Sequence, residues 1–410
     1  MSRTITAGVL GVLALAAAVV PATAAGAAVP GCAAAAGAVY TPPATVTGPP
    51  GTVLACRPVT LPEVPGGLAI NAWQVQYAST DRTGQPVAVS GTVAVPTAPW
   101  TGAGSRPVVS FHFGTLGLGP QCAFSKQLAG AYQDEYEGDQ VAAVLRAGWA
   151  VVATDDVGYL TGQTHTYMVG VNSAHAMLDG VRAAFRLPGD GLGSTARVGL
   201  WGYSQGGAAT LWAAQLAASY APELSVAGAA AGGVPGDLRA VAEASDGGAF
   251  AGFTVDATIG LHTAYPALPF DSLLNDAGKQ LVANLKTLYL TGTIAAGAGA
   301  KTENLTTGGL TLDQLLQIWG GAVDAQKLGV GLGSAYSIGF PVLQYHGLLD
   351  EVVPTTVEDA VHAAYCRGGV TTQQNLYAAD HLLADNQAIG DVVSWLGDRF
   401  AGRSTTGNCR

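Results

Sequence analysis

Two patterns of apolar and polar positions, one typical of strands and one typical of helices, alternate along much of the chain. Strand-like alternation or short apolar runs occupy residues 74–77, 87–95, 107–113, 150–153, 197–201, 224–229, 341–345 and 373–378. Between them, apolar residues recur at helical spacing over residues 139–147, 172–186, 205–219, 356–366 and 383–400. Strands that alternate with helices in this way predict an α/β fold with a mostly parallel sheet flanked by helices.

This alternation stops between residues 236 and 337, where no clear apolar strand precedes residue 341. Residues 273–290 and 311–328 have helical spacing instead. We therefore predict one α/β core, made of residues 28–235 and 338–410, and a helical cap, residues 236–337, inserted over the sheet. Residues 28–65 are rich in Pro, Gly and Ala and are predicted to be irregular.

The first residues have the features of a secretory signal. Arg3 precedes an apolar run from Ile5 to Val20, and Ala22-Thr23-Ala24 offers a small-residue cleavage pattern. The run is shorter than the roughly 20 residues that span a bilayer, so a stable transmembrane anchor is not expected. Residues 1–27 are predicted to be a signal peptide, and the mature protein is predicted to be secreted.

The composition narrows the class of protein. Charged residues make up 11% of the chain and the mean hydropathy is +0.31, which excludes a disordered chain. The net charge is −10 without a cluster of Lys and Arg, so nucleic acid is not expected as a partner. The 5 cysteines allow at most two disulfides within the chain, and their spacing does not predict a structural metal site.

A G-x-S-x-G motif surrounds Ser204, from Gly202 to Gly206. The motif alone is weak evidence, because a chain with 57 glycines contains it by chance about 0.3 times. Its context is stronger, since a predicted strand enters at Arg197 and a predicted helix leaves at Gln205. A serine on such a sharp strand-to-helix turn is exposed above the sheet as a nucleophile. The turn also brings the Gln205 N–H to the position where an oxyanion forms.

The partners of a serine nucleophile follow it along the chain as an acid and then a histidine. Of the three histidines after the cap, His381 follows the last strand and is predicted to lie in the loop before the last helix. His346 would invert the order, and His362 lies within a helical run. Asp350, in the loop after the strand at residues 341–345, is the predicted acid, with Glu351 as the alternative.

The second oxyanion donor is expected in the loop after an early strand. His112-Phe113-Gly114-Thr115-Leu116-Gly117 occupies that place, and its glycines allow the backbone to approach a substrate carbonyl. We predict the backbone N–H of Thr115 or Leu116 as the donor.

Several stretches of the chain resemble the secretory lipases, the family of Candida antarctica lipase A and its actinobacterial relatives. The resemblance extends from about Leu61 to the C-terminus and is most specific in five stretches, residues 178–183, 202–206, 219–224, 250–253 and 350–354. It implies an α/β-hydrolase fold, a helical cap over an acyl-binding tunnel, and hydrolysis of acylglycerols without a cofactor. It also implies that Ser204, Asp350 and His381 are the triad.

The same resemblance implies a disulfide between Cys366 and Cys409. Cys122 has a family counterpart that pairs with a cysteine of the cap, but this cap has none, which leaves Cys32, Cys56 or a free thiol. The expected function is that of a secreted lipase acting on a lipid ester at a lipid–water interface. The alternatives are a short-chain carboxylesterase or polyester depolymerase with the same triad, and an acyltransferase of the cell envelope.

Overall fold

A computed structural model describes residues 31–131 and 134–409. The predicted signal peptide therefore lies outside the described residues. The central feature is a sheet of nine strands, β1 (Val53–Pro58), β2 (Ile70–Thr80), β3 (Pro86–Pro96), β4 (Val108–His112), β5 (Ala150–Thr154), β6 (Arg197–Tyr203), β7 (Ser225–Gly232), β8 (Val342–Gly347) and β9 (Thr372–Tyr377). Within the described residues, twelve α-helices accompany them, α1 (Phe124–Leu128), α2 (Gly138–Arg146), α3 (Gly170–Ala184), α4 (Gln205–Tyr220), α5 (Leu238–Ser245), α6 (Ala251–Ala264), α7 (Asp276–Leu285), α8 (Leu290–Gly297), α9 (Thr302–Leu305), α10 (Leu312–Asp324), α11 (Thr355–Arg367) and α12 (His381–Phe400).

The strands lie in the order β1-β2-β3-β5-β4-β6-β7-β8-β9. The first three form an antiparallel edge that joins β5, and the remaining pairs from β5 to β9 are parallel. This arrangement confirms the predicted α/β class with a mostly parallel sheet. The carboxyl ends of parallel strands meet at one edge, so the loops after β4, β6 and β8 can form a common site.

Helices cover both faces of the sheet because the buried parallel strands are apolar on both faces. Leu200, next to Trp201 on β6, packs into one apolar layer together with residues of α3, α4, α6 and α10. Trp201 packs into the opposite layer, with residues of α2 and α12. Adjacent positions of one strand thus face opposite layers, as the two-residue period of a strand requires.

The chain between β7 and β8 carries the helices α5 to α10, which we call the cap helices. Ile259 of α6 and Trp319 of α10 belong to the same apolar layer as α4, so the cap helices are packed on the core. None of the helices among the described residues combines the length and the apolarity that crossing a membrane requires.

One expectation was wrong at the N-terminal end of the described chain. Residues 28–65 were expected to be irregular, yet β1 lies there and pairs antiparallel with β2. Only Cys56 of this strand is buried, so its pairing with β2, rather than an apolar pattern, stabilises it.

Two disulfides occur among the described residues. Cys32 is bonded to Cys56 on β1, and Cys366 of α11 is bonded to Cys409 near the C-terminus. Cys122 is a free, buried thiol whose Sγ donates a hydrogen bond to the Leu288 carbonyl oxygen at 3.3 Å. The loop between α7 and α8 therefore contacts Cys122 without a covalent bond.

Candidate active site

Ser204 lies at a sharp turn between β6 and α4. Its backbone has φ 55° and ψ −119°, a region that L-residues other than glycine rarely adopt. The Ser204 N–H donates to the Gly232 carbonyl oxygen at 2.8 Å, which anchors the turn to the neighbouring strand. A non-glycine residue in such a conformation is held there by its surroundings, and such strain is concentrated at functional sites.

The two glycines of the motif allow the close packing around Ser204. A Cβ atom at Gly202 would collide with the Gly206 carbonyl oxygen, and one at Gly206 would collide with the His112 carbonyl oxygen. The loop after β4 therefore lies directly against the turn, and only glycine permits this approach. The structure thus requires glycine at both positions, although the motif itself is weak evidence in a Gly-rich sequence.

The two candidate acids contact different atoms of His381. Asp350 Oδ2 accepts a hydrogen bond from the His381 ring at Nδ1 over 2.6 Å. Asp350 Oδ1 accepts from the backbone N–H groups of Val352 and Val353, which fix the orientation of the carboxylate. Glu351 Oε2 instead accepts from the backbone N–H of His381 at 3.1 Å. In this structure Asp350 orients the imidazole, whereas Glu351 holds the backbone that carries it.

The loop that carries Asp350 and the loop that precedes His381 are joined by backbone contacts. The N–H of Leu348 donates to the Tyr377 carbonyl oxygen at 2.8 Å, and that of Leu349 donates to the Ala379 carbonyl oxygen at 3.0 Å. A Cβ atom at Gly347 would collide with the Ala379 carbonyl oxygen. The glycine that ends β8 thus allows the approach that brings the acid to the histidine.

His381 is the first residue of α12, not a residue of the preceding loop as the sequence predicted. The helix begins there because Asp380 is its N-cap and accepts a hydrogen bond from the Leu383 N–H at 2.8 Å. The imidazole of His381 lies 5.0 Å from the ring of Tyr203, the residue before Ser204, measured between ring centroids. Ser204 and His381 are both buried, with 8% and 4% of their surface exposed.

The other two histidines after the cap helices have partners of their own. His346 Nδ1 lies 3.5 Å from Glu358 Oε2. His362 lies in α11, with its Nε2 3.6 Å from Cys366 Sγ. In the described part of the chain, the one group of side chains spaced to hold a metal ion is His362, Cys366 and Cys409. Its two sulfurs are bonded to each other.

Gln205 is the first residue of α4, and its side chain is held from behind. Its Nε2 lies 2.7 Å from His165 Nε2, while His165 Nδ1 lies 3.0 Å from the Val157 carbonyl oxygen. Burial lowers the pKa of His165, which favours a neutral ring. The neutral ring donates from Nδ1 to Val157 and accepts the Gln205 amide at Nε2, so the first turn of α4 has a fixed position.

The loop after β4 brings the other predicted donors to the turn. Thr115 Oγ1 lies 2.7 Å from the Tyr167 hydroxyl, and the Gly114 N–H donates to Glu137 Oε2 at 2.6 Å. Among the described residues, neither the Thr115 nor the Gln205 backbone N–H donates to a protein acceptor. The side chain of Leu116 is fully buried in the core, which fixes its end of the loop.

Ser204 lies on the wall of an apolar cavity of about 130 Å³ beneath the cap helices. This is about ten times the volume of 10–15 Å³ that holds one water molecule. Side chains of five cap helices line it, among them Leu238, Phe253, Val282, Leu305 and Trp319. The cavity can therefore hold several methylene groups next to the nucleophile.

Tyr167 and Met168 also line this cavity beside Ser204, although the sequence did not indicate them. Met168 has φ 63°, the left-handed region, and is buried. Gly260 of α6 lies directly on the Tyr167 backbone, where a Cβ atom would collide. The apolar pattern of the sequence carries no signal for such a strained backbone or for this long-range contact.

Comparisons with known proteins identify related chains. The family model described as "Secretory lipase" matches residues 124–408. Lipase 10 of Candida albicans is 30% identical over 405 residues, covering 90% of this chain and 82% of that protein. A protein of Mycobacterium tuberculosis described as a probable inactive lipase is 31% identical, covering 87% of this chain and 80% of its own length. The X-ray structure of Candida antarctica lipase A in its closed state has a TM-score of 0.79 and 25% identity, covering 90% of this chain and 87% of that one.

Proposed function

This chain belongs to the secretory lipase family, and we propose that it hydrolyses acylglycerols through a Ser204–His381–Asp350 triad. One relative is described as probably inactive, so family membership alone does not establish catalysis. The proposal therefore depends on the site of this chain.

The position of Ser204 carries the proposal. The strained turn holds its hydroxyl at an apolar cavity. Asp350 in the loop after β8 is paired with His381 at the start of α12. A cavity with apolar walls favours the acyl chain of a lipid over a polar acyl group. The cavity thus supports a fatty acyl ester as the substrate.

In the proposed reaction, His381 Nε2 takes the proton from Ser204 Oγ as Oγ bonds to the ester carbonyl carbon. Asp350 stabilises the resulting imidazolium through Nδ1. The carbonyl oxygen becomes an oxyanion that accepts hydrogen bonds from the backbone N–H groups of Gln205 and Thr115. The C–O bond of the alcohol then breaks, and His381 returns the proton to the leaving alcohol. Water activated by His381 hydrolyses the acyl-enzyme.

We also propose that the protein acts outside the cell, after removal of residues 1–27. The apolar run and small-residue cleavage pattern of the N-terminus support this proposal. The disulfides Cys32–Cys56 and Cys366–Cys409 support it independently, because disulfides persist in oxidising compartments.

A surface beside the site supports action at a lipid–water interface. Five of the seven large apolar side chains that are exposed in the described part of the chain lie in the segments around Asp350 and His381, namely Leu348, Leu349, Leu376, Leu382 and Leu383. We call them the leucine rim. Val352 and Val353, three and four residues after Leu349, line the cavity, so the chain passes from the rim directly to the cavity wall.

The charges around the rim indicate the kind of surface it contacts. Asp380 and Glu351 are exposed next to it, and the chain has a net charge of −10. Negative charge opposes contact with anionic lipid headgroups. The proposed surface is therefore an uncharged ester lipid, such as an acylglycerol droplet.

A profile of acyl chain lengths tests the proposed substrate class. We expect hydrolysis of emulsified tributyrin and of longer triacylglycerols, with faster turnover per site than on dissolved p-nitrophenyl acetate. Activity confined to acyl chains of four carbons or fewer would contradict a lipase and support the esterase alternative. Transfer of the acyl group to an added alcohol in preference to water would support the acyltransferase.

Replacement of rim leucines by serine tests the interface. Leu349→Ser and Leu383→Ser are each expected to lower the rate on emulsified tributyrin about 30-fold, because each removes roughly 2 kcal/mol of apolar contact with lipid. Hydrolysis of dissolved p-nitrophenyl butyrate is expected to stay within about twofold of the unmodified protein, because neither side chain lines the cavity.

Val330→Ser is the matched control, because Val330 is 58% exposed and lies outside the segments around Asp350 and His381. It should leave both rates unchanged. Equal losses in the rim variants and in this control, or losses on both substrates, would rule out the rim as the lipid-binding surface.

A further inference from the structure

Two buried carboxyl groups lie behind the site and have no part in the reaction proposed above. Glu137 is the residue before α2, and Asp385 is one helical turn after His381 on α12. Both are buried, with 0% and 1% of their surface exposed. Residues four apart on a helix project from the same face, so Asp385 lies on the face that carries the catalytic imidazole.

Each carboxyl group is tied to one part of the catalytic machinery. Glu137 Oε2 accepts a hydrogen bond from the Gly114 N–H, next to the proposed oxyanion donor Thr115. Asp385 Oδ2 accepts from Gln140 Nε2 at 2.6 Å, and Gln140 is three residues after Glu137. The start of α2 therefore connects the loop after β4, which we call the oxyanion loop, to the helix that begins at His381.

The second oxygen of each carboxyl group is buried without a partner. Glu137 Oε1 and Asp385 Oδ1 are inaccessible to solvent and accept no hydrogen bond within the described residues. Two ionised carboxylates with unpaired oxygens are strongly disfavoured in such a site. The arrangement favours a pair that carries at most one negative charge at neutral pH.

The ionisable groups around the pair indicate which of the two carboxyl groups carries the negative charge. Burial, then repulsion by Asp385 and Glu135, raises the pKa of Glu137 well above its ordinary range. Burial also raises the pKa of Asp385, but less, because His381 and the hydrogen bond from the Gln140 amide act in the opposite direction. Three tyrosines also face the pair, and burial raises their pKa values so that they stay neutral, Tyr136, Tyr203 and Tyr345. Asp350 lies at the His381 ring.

We infer that Glu137 and Asp385 are positioning residues for the proposed hydrolysis. Protonated Glu137 holds the oxyanion loop through Gly114. Ionised Asp385 places a negative charge near His381 and stabilises the imidazolium that forms when Ser204 loses its proton. This inference rests on the proposed function, because it assigns His381 as the base.

The sign of the pH effect follows from this assignment. His381 must be neutral to accept a proton, and a negative charge close to an imidazole favours its protonated form. Asp385→Asn is therefore expected to move the acid limb of kcat/KM to lower pH, by about one unit. Gln140→Met removes a hydrogen bond that favours ionised Asp385, so it should move the limb in the same direction by less.

Glu137 is tested by a conservative and a non-conservative variant. Glu137→Gln keeps a carbonyl oxygen for the Gly114 N–H and replaces one neutral side chain by another. We expect an unmoved acid limb and nearly normal kcat. Glu137→Leu removes the acceptor and is expected to lower kcat about tenfold or more with little change in KM, because the oxyanion donors lose their fixed position.

All variants are compared on dissolved p-nitrophenyl butyrate, with active sites counted by a phosphonate inhibitor and folding checked by circular dichroism. An acid limb that stays in place in both folded Asp385→Asn and Gln140→Met contradicts the role of Asp385. Equal kcat in Glu137→Leu and Glu137→Gln contradicts the role of Glu137. An unmodified protein as inactive as Ser204→Ala would instead overturn the proposed function itself.

Discussion

Ser204→Ala is expected to lower kcat/KM on dissolved p-nitrophenyl butyrate by about 10⁴-fold or more while leaving a folded protein. The hydroxyl is the proposed nucleophile, and no acyl-enzyme forms without it. The protein should remain folded because Ser204 contributes its backbone N–H, not its side chain, to the contact with Gly232. The rate and the thermal unfolding midpoint are measured on the same purified preparation.

Ser225→Ala is a suitable control, because Ser225 begins β7 and its side chain is exposed. It should retain full activity and the same unfolding midpoint. A Ser204→Ala protein that is folded and still active within tenfold of the unmodified protein would show that another residue is the nucleophile. The remaining proposals on His381 and the acid pair would then lose their basis.

The strands around the site were predictable because their physical signal is local. Residues buried on both faces of a parallel sheet must be apolar, so β4, β6 and β8 are recognisable in the sequence without any long-range information. The order of serine, acid and histidine could also be predicted, because the connections of this sheet bring the loops after β6 and β8 to one edge.

Elements stabilised by distant contacts were not predictable in this way. Strand β1 has one buried residue and depends on its pairing with β2 and on the Cys32–Cys56 disulfide. Helix α6 was also missed, since Gly252 and Gly260 pack against other backbone while Phe253 lines the cavity. A helix covered on several sides lacks the one-sided apolar periodicity that identifies an amphipathic helix.

Within the site, the types of the residues and their order in the chain indicated candidates for the catalytic roles. The contacts in the structure distinguish between these candidates. Asp350 and Glu351 are adjacent in the sequence, so a shift of one residue would exchange them. In the structure, Asp350 accepts a hydrogen bond from the His381 ring, whereas Glu351 accepts one from the His381 backbone N–H. Glu137 and Asp385 were not predicted at all, because they are far apart in the chain and match no motif. A signal was present for Asp385 alone, which follows His381 by one helical turn.

His381→Ala is the second decisive substitution, and His362→Ala is its matched control. Removing the proposed general base is expected to lower kcat/KM about 10⁴-fold or more, because Ser204 cannot be deprotonated efficiently at neutral pH. His362 is the same residue type in the next helix upstream, but its ring contacts Cys366 and Thr372. His362→Ala should therefore keep normal catalysis.

The pair of variants separates a catalytic effect from a structural one. Loss of the His381 ring also removes its contacts with Asp350 and Tyr203, so the unfolding midpoint has to be measured alongside the rate. Added imidazole should partly restore activity to His381→Ala, since a free base can occupy the space left by the ring. A folded His381→Ala protein with normal kcat/KM, or an inactive but folded His362→Ala protein, would reassign the general base. It would also remove the physical basis for Asp385 as a charge acting on it.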